Sequence, residues 1–225
     1  MGILAGDLLD AYAHEVLANS KFLPVAKVEA LNQLSLVLKD VIIGEGMDVH
    51  YPLQQEVSEK DVFNVLGLKT ARYTVDGPLK IGAILAGADK KILDVLNKYS
   101  MALGVAYQIQ DDLLGIFGKQ EKTGKSVDSD IKEGKKTLLV IEAQKRANAK
   151  QKKILAQALG NEKLTQKQAE EFRKVVIETG ALEYSQKMAE KLMNEAKKTL
   201  EKATLPKEPK QFLLDIADYI ISREK

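Results

Sequence analysis

The chain has 225 residues, no cysteine and a formal net charge of +2. That length suits one substantial core or two small ones, and the lack of cysteine excludes disulfides and thiolate metal sites and fits a reducing cytoplasm. The charge is uneven, −4 over residues 1–144 (16 basic, 20 acidic) and +7 over residues 145–210 (16 basic, 9 acidic), but the basic part has only two arginines and few aromatics, which argues against a nucleic-acid partner.

Leu, Ala, Lys and Glu dominate, and no stretch alternates with period two, so the elements read as helices. They are expected over about 3–19, 25–54, 58–75, 78–87, 89–117, 135–147, 150–159, 165–179, 181–203 and 207–223. Pro24, Pro52, Pro78, Pro206 and Pro209 break the chain, and Gly118, Gly160 and Gly180 act as stops. Ser58-Glu-Lys-Asp61 and Thr165-Gln-Lys-Gln168 read as helix starts, each with an oxygen cap and an acid or amide three residues on. Residues 145–203 have the charged pattern of peripheral amphipathic helices. Met1 leads through Gly2-Ile-Leu-Ala to Asp7 with no signal peptide, and no apolar run approaches the roughly 20 residues of a membrane span.

Within the helix expected at 89–117, 12 of the 19 positions from Tyr99 to Phe117 are apolar and surround the whole circumference, the pattern of a core helix. Asp111 and Asp112 lie inside it, and an ionised carboxylate there is costly without a positive partner. Gln108, Asp111, Asp112 and position 115 are spaced i, i+3, i+4, i+7 and share a face. Such an oxygen-bearing stripe suits a hard cation such as Mg²⁺; the alternative is an acid pair on a solvated helix edge. Residues 119–137 follow as a loop rich in glycine and serine that carries Lys122, Lys125, Lys132, Lys135 and Lys136. Acids on a helix beside such lysines can make an anion site, with a metal on one side of a diphosphate and ammonium groups on the other; the alternative is that the lysines are merely solvated. His14 and His50 have no second histidine at ligand spacing and read as structural.

Tyr107-Gln-Ile-Gln-Asp-Asp-Leu-Leu-Gly115, followed by Lys122-Thr-Gly-Lys125, Ser129-Asp-Ile131 and Gly134-Lys-Lys-Thr137, resembles the second aspartate-rich motif and lysine loop of the trans-isoprenyl diphosphate synthases, the farnesyl and geranylgeranyl diphosphate synthase (polyprenyl synthetase) family. Further blocks agree in order: Ile3-Leu-Ala-Gly-Asp-Leu-Leu9, Gly44-Glu-Gly-Met-Asp48, Lys69-Thr-Ala-Arg-Tyr-Thr74 and Gly77-Pro-Leu-Lys-Ile-Gly-Ala-Ile-Leu-Ala-Gly87. The resemblance covers essentially the whole chain. The family's first motif, Asp-Asp-x-x-Asp with an Arg-Arg pair, would precede Ile3; no other Asp-Asp pair and no Arg-Arg pair occurs in the sequence. The chain therefore resembles the C-terminal two thirds of such a synthase.

The resemblance implies an all-α helical bundle around a central cavity, with residues 1–225 as one domain and 119–137 as its lysine-rich active-site loop. It implies Mg²⁺-dependent condensation of isopentenyl diphosphate with an allylic diphosphate. Asp111 matches a metal ligand, and Asp112 is expected to support it or pair with a lysine; Gly115, where the family often has a third acid, leaves this side with less negative charge. Lys69, Lys125 and Lys135 match diphosphate-binding positions, Thr70, Tyr73 and Gln108 match groups at the reaction centre, and Asp130 matches the acid between the loop lysines. By spacing alone, Leu66, Thr70 and Tyr73 share a face of the 58–75 helix, although Thr70 could instead bond back to its own helix. Glu45 stands where the family usually has Gln, so Glu45 and Asp48 match less well, and Lys122, Lys132 and Lys136 are expected to face solvent. The partners implied are the two substrates and a second polypeptide bearing the first motif, a homodimer partner, or both. Two other readings stay open: a non-catalytic or complementing subunit of a heteromeric synthase, and a related all-α cyclase or squalene-type synthase, which the lysine loop disfavours.

Overall fold

The computed structural model describes residues 1–118 and 128–222, and every regular element in that range is helical. The chain opens with α1 (Gly2–Ala18) and α2 (Pro24–His50). α2 begins on a proline, whose missing N–H costs nothing in a first turn. It ends at His50 rather than near 54, because Pro52 diverts the chain into a 3₁₀ turn at Tyr51–Leu53. Ser58 then caps α3 (Glu59–Val65): its Oγ accepts from the Asp61 N–H at 3.2 Å while the Asp61 carboxylate accepts from the Ser58 N–H at 3.0 Å. This is the reciprocal box expected from the sequence.

From Leu66 to Asp76 the chain winds as a π-helix, closed by the Gly77 N–H bonding back to the Arg72 carbonyl, before α4 (Gly77–Leu85) resumes the ordinary pitch. A buried ion cluster pins the end of this π segment. Asp76 is fully buried and faces Arg72 Nη1 at 2.8 Å and Lys80 Nζ at 3.0 Å, and it accepts from Ser100 Oγ at 3.0 Å. Asn97 Oδ1 accepts from Arg72 and Lys80 at 2.9 and 2.8 Å. Every oxygen of this buried carboxylate is paired, the condition under which such a charge is tolerated.

The remaining elements are α5 (Lys90–Phe117), α6 (Ser129–Lys132), α7 (Leu138–Arg146), α8 (Ala149–Ala158), α9 (Gln166–Glu178), α10 (Ala181–Glu201) and α11 (Lys207–Ser222). α5 is the axis of the core, as its all-round apolar pattern requires. One side packs Ile109, Leu113 and Ile116 with Ile131 of α6, Leu139 of α7 and Phe172 of α9. The other packs Tyr99 and Leu103 with Met193 and Leu200 of α10 and Ala217 of α11. α5 also meets the π segment backbone to backbone: a Cβ on Gly104 would lie 2.5 Å from Ala71 Cα.

α1 and α2 differ from the rest. No residue of α1 is buried, and α2 buries only Ala30, Val37 and Gly44. Ile3, Leu9, Val16, Val25, Ile42 and Val49 are among the apolar side chains left exposed there. No helix among the described residues is long and apolar enough to cross a membrane.

Candidate functional site

A small cavity of about 30 Å³, open to solvent, forms where α2, α3, the π segment, α5 and the start of α7 meet. It is lined by Asp48, Lys69, Thr70, Gln108, Asp112 and Lys135, with Lys136, Thr137 and Tyr51 beside them. Its floor is one hydrogen-bonded chain. Thr70 Oγ1 donates to Gln108 Oε1 at 2.8 Å, and Gln108 Nε2 donates to Asp112 Oδ1 at 3.0 Å. The Lys135 ammonium then stands 3.6 Å from Asp112 Oδ1 and 3.8 Å from Asp130 Oδ1. Thr70 thus turns its hydroxyl to α5, not back onto its own helix. Lys69, one residue earlier, pairs with Asp48 and, at 3.2 Å, with Glu45 of α2. Gly44 permits this approach, since a Cβ there would lie 2.5 Å from the Lys69 backbone nitrogen.

The two adjacent acids part company. Asp112 is buried and lines the cavity; Asp111, about 100° further round the helix, is partly exposed and lies outside the lining. Burial pushes the Asp112 carboxyl up to about 7, more than the attraction of Lys135 and the bond from Gln108 can offset, and the charges of Asp130 and Asp111 add to the rise. Burial alone would lower Lys135, but Asp112, Asp130, Asp48 and Asp111 outweigh it and hold the ammonium above the ordinary lysine value. Lys69 behaves alike: burial opposes its charge, and Asp48 and Glu45 raise it.

Four expectations differ from the structure. Gly115 does not leave its side short of a carboxylate: Asp130, carried by α6, puts Oδ2 2.5 Å from the point a Cβ at 115 would occupy. Residues 129–132, expected as loop, fold into that helical turn, so Asp130 reaches α5 from a fixed point. Tyr73 is not brought to the cavity and is 58% exposed. With α-helical spacing Tyr73 shares the Thr70 face, but in a π-helix each residue turns less, and three residues no longer bring the side chain back. Lys136, expected in solvent, lines the cavity and is partly buried. Sequence reasoning missed it because it started the last of these helices at 135. Thr137 is the N-cap, its Oγ1 accepting from the Val140 N–H, and reading Thr137 before the apolar run Leu138-Leu-Val-Ile141 as a cap places Lys136 just outside the helix. Lys122 and Lys125 fall outside the described residues; Lys132 ends α6. His14 lies exposed on α1 against the Asp10 carbonyl, and His50 contacts Gln54.

No group of three or more acidic or histidine side chains among the described residues could hold a metal ion by itself. This donor set still fits Mg²⁺. That ion is commonly bound through one or two carboxylates, with waters and substrate phosphate oxygens completing its octahedron, rather than by an all-protein cage. Asp112, in the lining, is placed to be one such carboxylate, and Asp111 beside it on α5 is the nearest candidate for a second.

Comparison with known proteins agrees with this architecture. The fold is that of the all-α polyprenyl synthases. A geranylgeranyl pyrophosphate synthase of Corynebacterium glutamicum, in complex with isoprenyl diphosphate and magnesium, superposes with a TM-score of 0.92 at 29% identity over 98% of this chain and 62% of its own. A polyprenyl synthase of Caulobacter crescentus, in complex with calcium and isoprenyl diphosphate, superposes with a TM-score of 0.87 at 27% identity over 99% of this chain and 66% of its own. In sequence, the chain is 32% identical over 222 residues to the geranylgeranyl diphosphate synthase of Methanosarcina mazei, covering 99% of this chain and 66% of that protein. It is 35% identical over 227 residues to a short chain isoprenyl diphosphate synthase of Methanocaldococcus jannaschii, again about two thirds of its length. The Polyprenyl synthetase family model matches residues 1–176. The chain belongs to the polyprenyl synthetase family.

Proposed function

We propose that this chain carries the second half of the catalytic site of an isoprenyl diphosphate synthase, a prenyltransferase that joins isopentenyl diphosphate to an allylic diphosphate. The observation that carries this reading is the convergence of Lys69, Thr70, Gln108, Asp112 and Lys135, from the π segment, α5 and the residues before α7, on one cavity. Asp112 and Asp111 would hold Mg²⁺, whose chemistry when bound would be Lewis-acid stabilisation of the leaving group. Lys69 and Lys135, with Lys125 as the family resemblance implies, neutralise the charge that builds on the diphosphate as the allylic C–O bond breaks. Thr70 and Gln108 present oriented dipoles to the allylic cation, which the isopentenyl double bond attacks before a proton is lost. The apolar walls from Val62, Val65 and Leu66 keep water from that cation.

The first-motif acids come from polypeptide beyond these 225 residues. The many exposed apolar side chains of α1 and α2 support a partner on that side, since apolar faces left uncovered on a helix commonly mark an interface. The same observation favours a second reading, in which the chain completes or regulates another synthase subunit without turning over substrate itself.

Thermal melts of the chain with Mg²⁺ and a non-hydrolysable allylic diphosphate analogue test the site. Binding to the folded state raises Tm. Asp111→Ala is expected to fold normally and lose the Mg²⁺-dependent part of that shift. A full shift in the variant removes Asp111 from the metal site.

A further inference from the structure

Three lysines line the cavity, and two of them are already matched by acids. Lys69 faces both Asp48 and Glu45. Lys135 stands between Asp112 and Asp130. An anion arriving at either must compete with carboxylates that already hold the ammonium. Lys136 differs. It lines the same cavity and is partly buried, yet no carboxylate among the described residues pairs with it. Burial lowers the pKa of its ammonium below the ordinary lysine value, and no described charge offsets it. A half-desolvated charge without a partner is the group that gains most from an incoming anion. Its backbone setting points the same way. Lys136 leads directly into Thr137, which both lines the cavity and caps α7, so the positive end of that nine-residue helix opens on the same space.

We propose that Lys136 is a diphosphate-binding residue of this cavity, and that it, rather than the acid-matched Lys69 or Lys135, makes the first contact with the anion. The inference rests on the diphosphate reading of the site and adds to it the residue on which capture depends. Lys69 and Lys135, already paired with Asp48, Glu45, Asp112 and Asp130, are then the secondary contacts.

The test is calorimetric titration of inorganic pyrophosphate into the full 225-residue chain, with and without Mg²⁺, for the wild type, Lys136→Met, Lys136→Arg and the exposed control Lys150→Met. Losing a hydrogen bond between charged groups is expected to weaken pyrophosphate binding about ten- to a hundredfold in Lys136→Met. Lys136→Arg keeps the charge and most of the affinity, and Lys150→Met matches the wild type. Because Lys136 holds no acid, Lys136→Met also keeps or raises Tm, which a structural lysine would not allow. Unchanged affinity in Lys136→Met overturns the inference and leaves the diphosphate reading standing. A fall in Tm together with affinity also overturns it, by showing that Lys136 holds the fold. Absence of any pyrophosphate binding by the wild type overturns the diphosphate reading, and this inference with it.

Discussion

Asp112 concentrates the electrostatic tension of the site in one residue. Its carboxyl is buried and titrates near 7, whereas an unfolded aspartate titrates near 3.9. Between those values the folded chain holds a proton that the unfolded chain has released, so stability falls as pH rises through about 4 to 7. Lys135, held above its ordinary 10.5, titrates far above this window. Asp112→Asn keeps an acceptor for Gln108 and removes the titration. Urea melts at intervals from pH 5 to 8 should show the wild type losing stability across that range and Asp112→Asn losing clearly less; parallel profiles would show that Asp112 is solvated in the folded chain. The sequence made this residue only half legible. It marked two acids in an apolar helix, but adjacent residues on a helix cannot share one depth, and which of the two turns inward depends on what packs on α5. Asp130 was harder still, because its reach to the space beside Gly115 comes from the α6 turn, which is too short to announce itself by periodicity.

The π segment explains most of what was misread among the elements. Hydrophobic pattern, proline positions and caps marked the other helices to within a few residues, the four-residue α6 excepted, and the Ser58 and Thr165 boxes formed as expected. A π-helix has no such signature, because it is fixed by tertiary contacts: the Asp76 ion cluster at one end and the tight meeting of Ala71 with Gly104 in the middle. Its wider turn presents Lys69 and Thr70 to the cavity and sends Tyr73 to solvent. Gly104→Ala should therefore be destabilising. Its Cβ would meet backbone at 2.5 Å, and overpacking of this kind costs about 1–3 kcal/mol, a fall of several degrees in Tm for a chain of this length. Gly46→Ala, in a helix with nothing within 4 Å of the new Cβ, should instead gain about 0.5–1 kcal/mol. Differential scanning calorimetry of the two variants decides it; equal small shifts would mean that α5 and the π segment are not in backbone contact.

At the scale of the whole molecule, the chain spans about two thirds of its relatives' length and has a well-packed core on one side and an uncovered one on the other. α3 to α11 bury their apolar faces around α5, while α1 and α2 hold theirs outward. The chemistry has the same asymmetry. Asp112 lines the cavity and Asp111 lies beside it outside the lining, and in the proposed site Mg²⁺ would need further oxygen ligands beyond these two carboxylates. The direct measurement is incorporation of radiolabelled isopentenyl diphosphate into allylic product by the purified 225-residue chain, with and without a polypeptide carrying the family's first aspartate motif. Product is expected only from the mixture, with the two polypeptides co-eluting on size exclusion. Robust product from this chain alone, as a clean monomer or homodimer, would contradict the two-sided site and require its own residues to supply the second set of metal ligands.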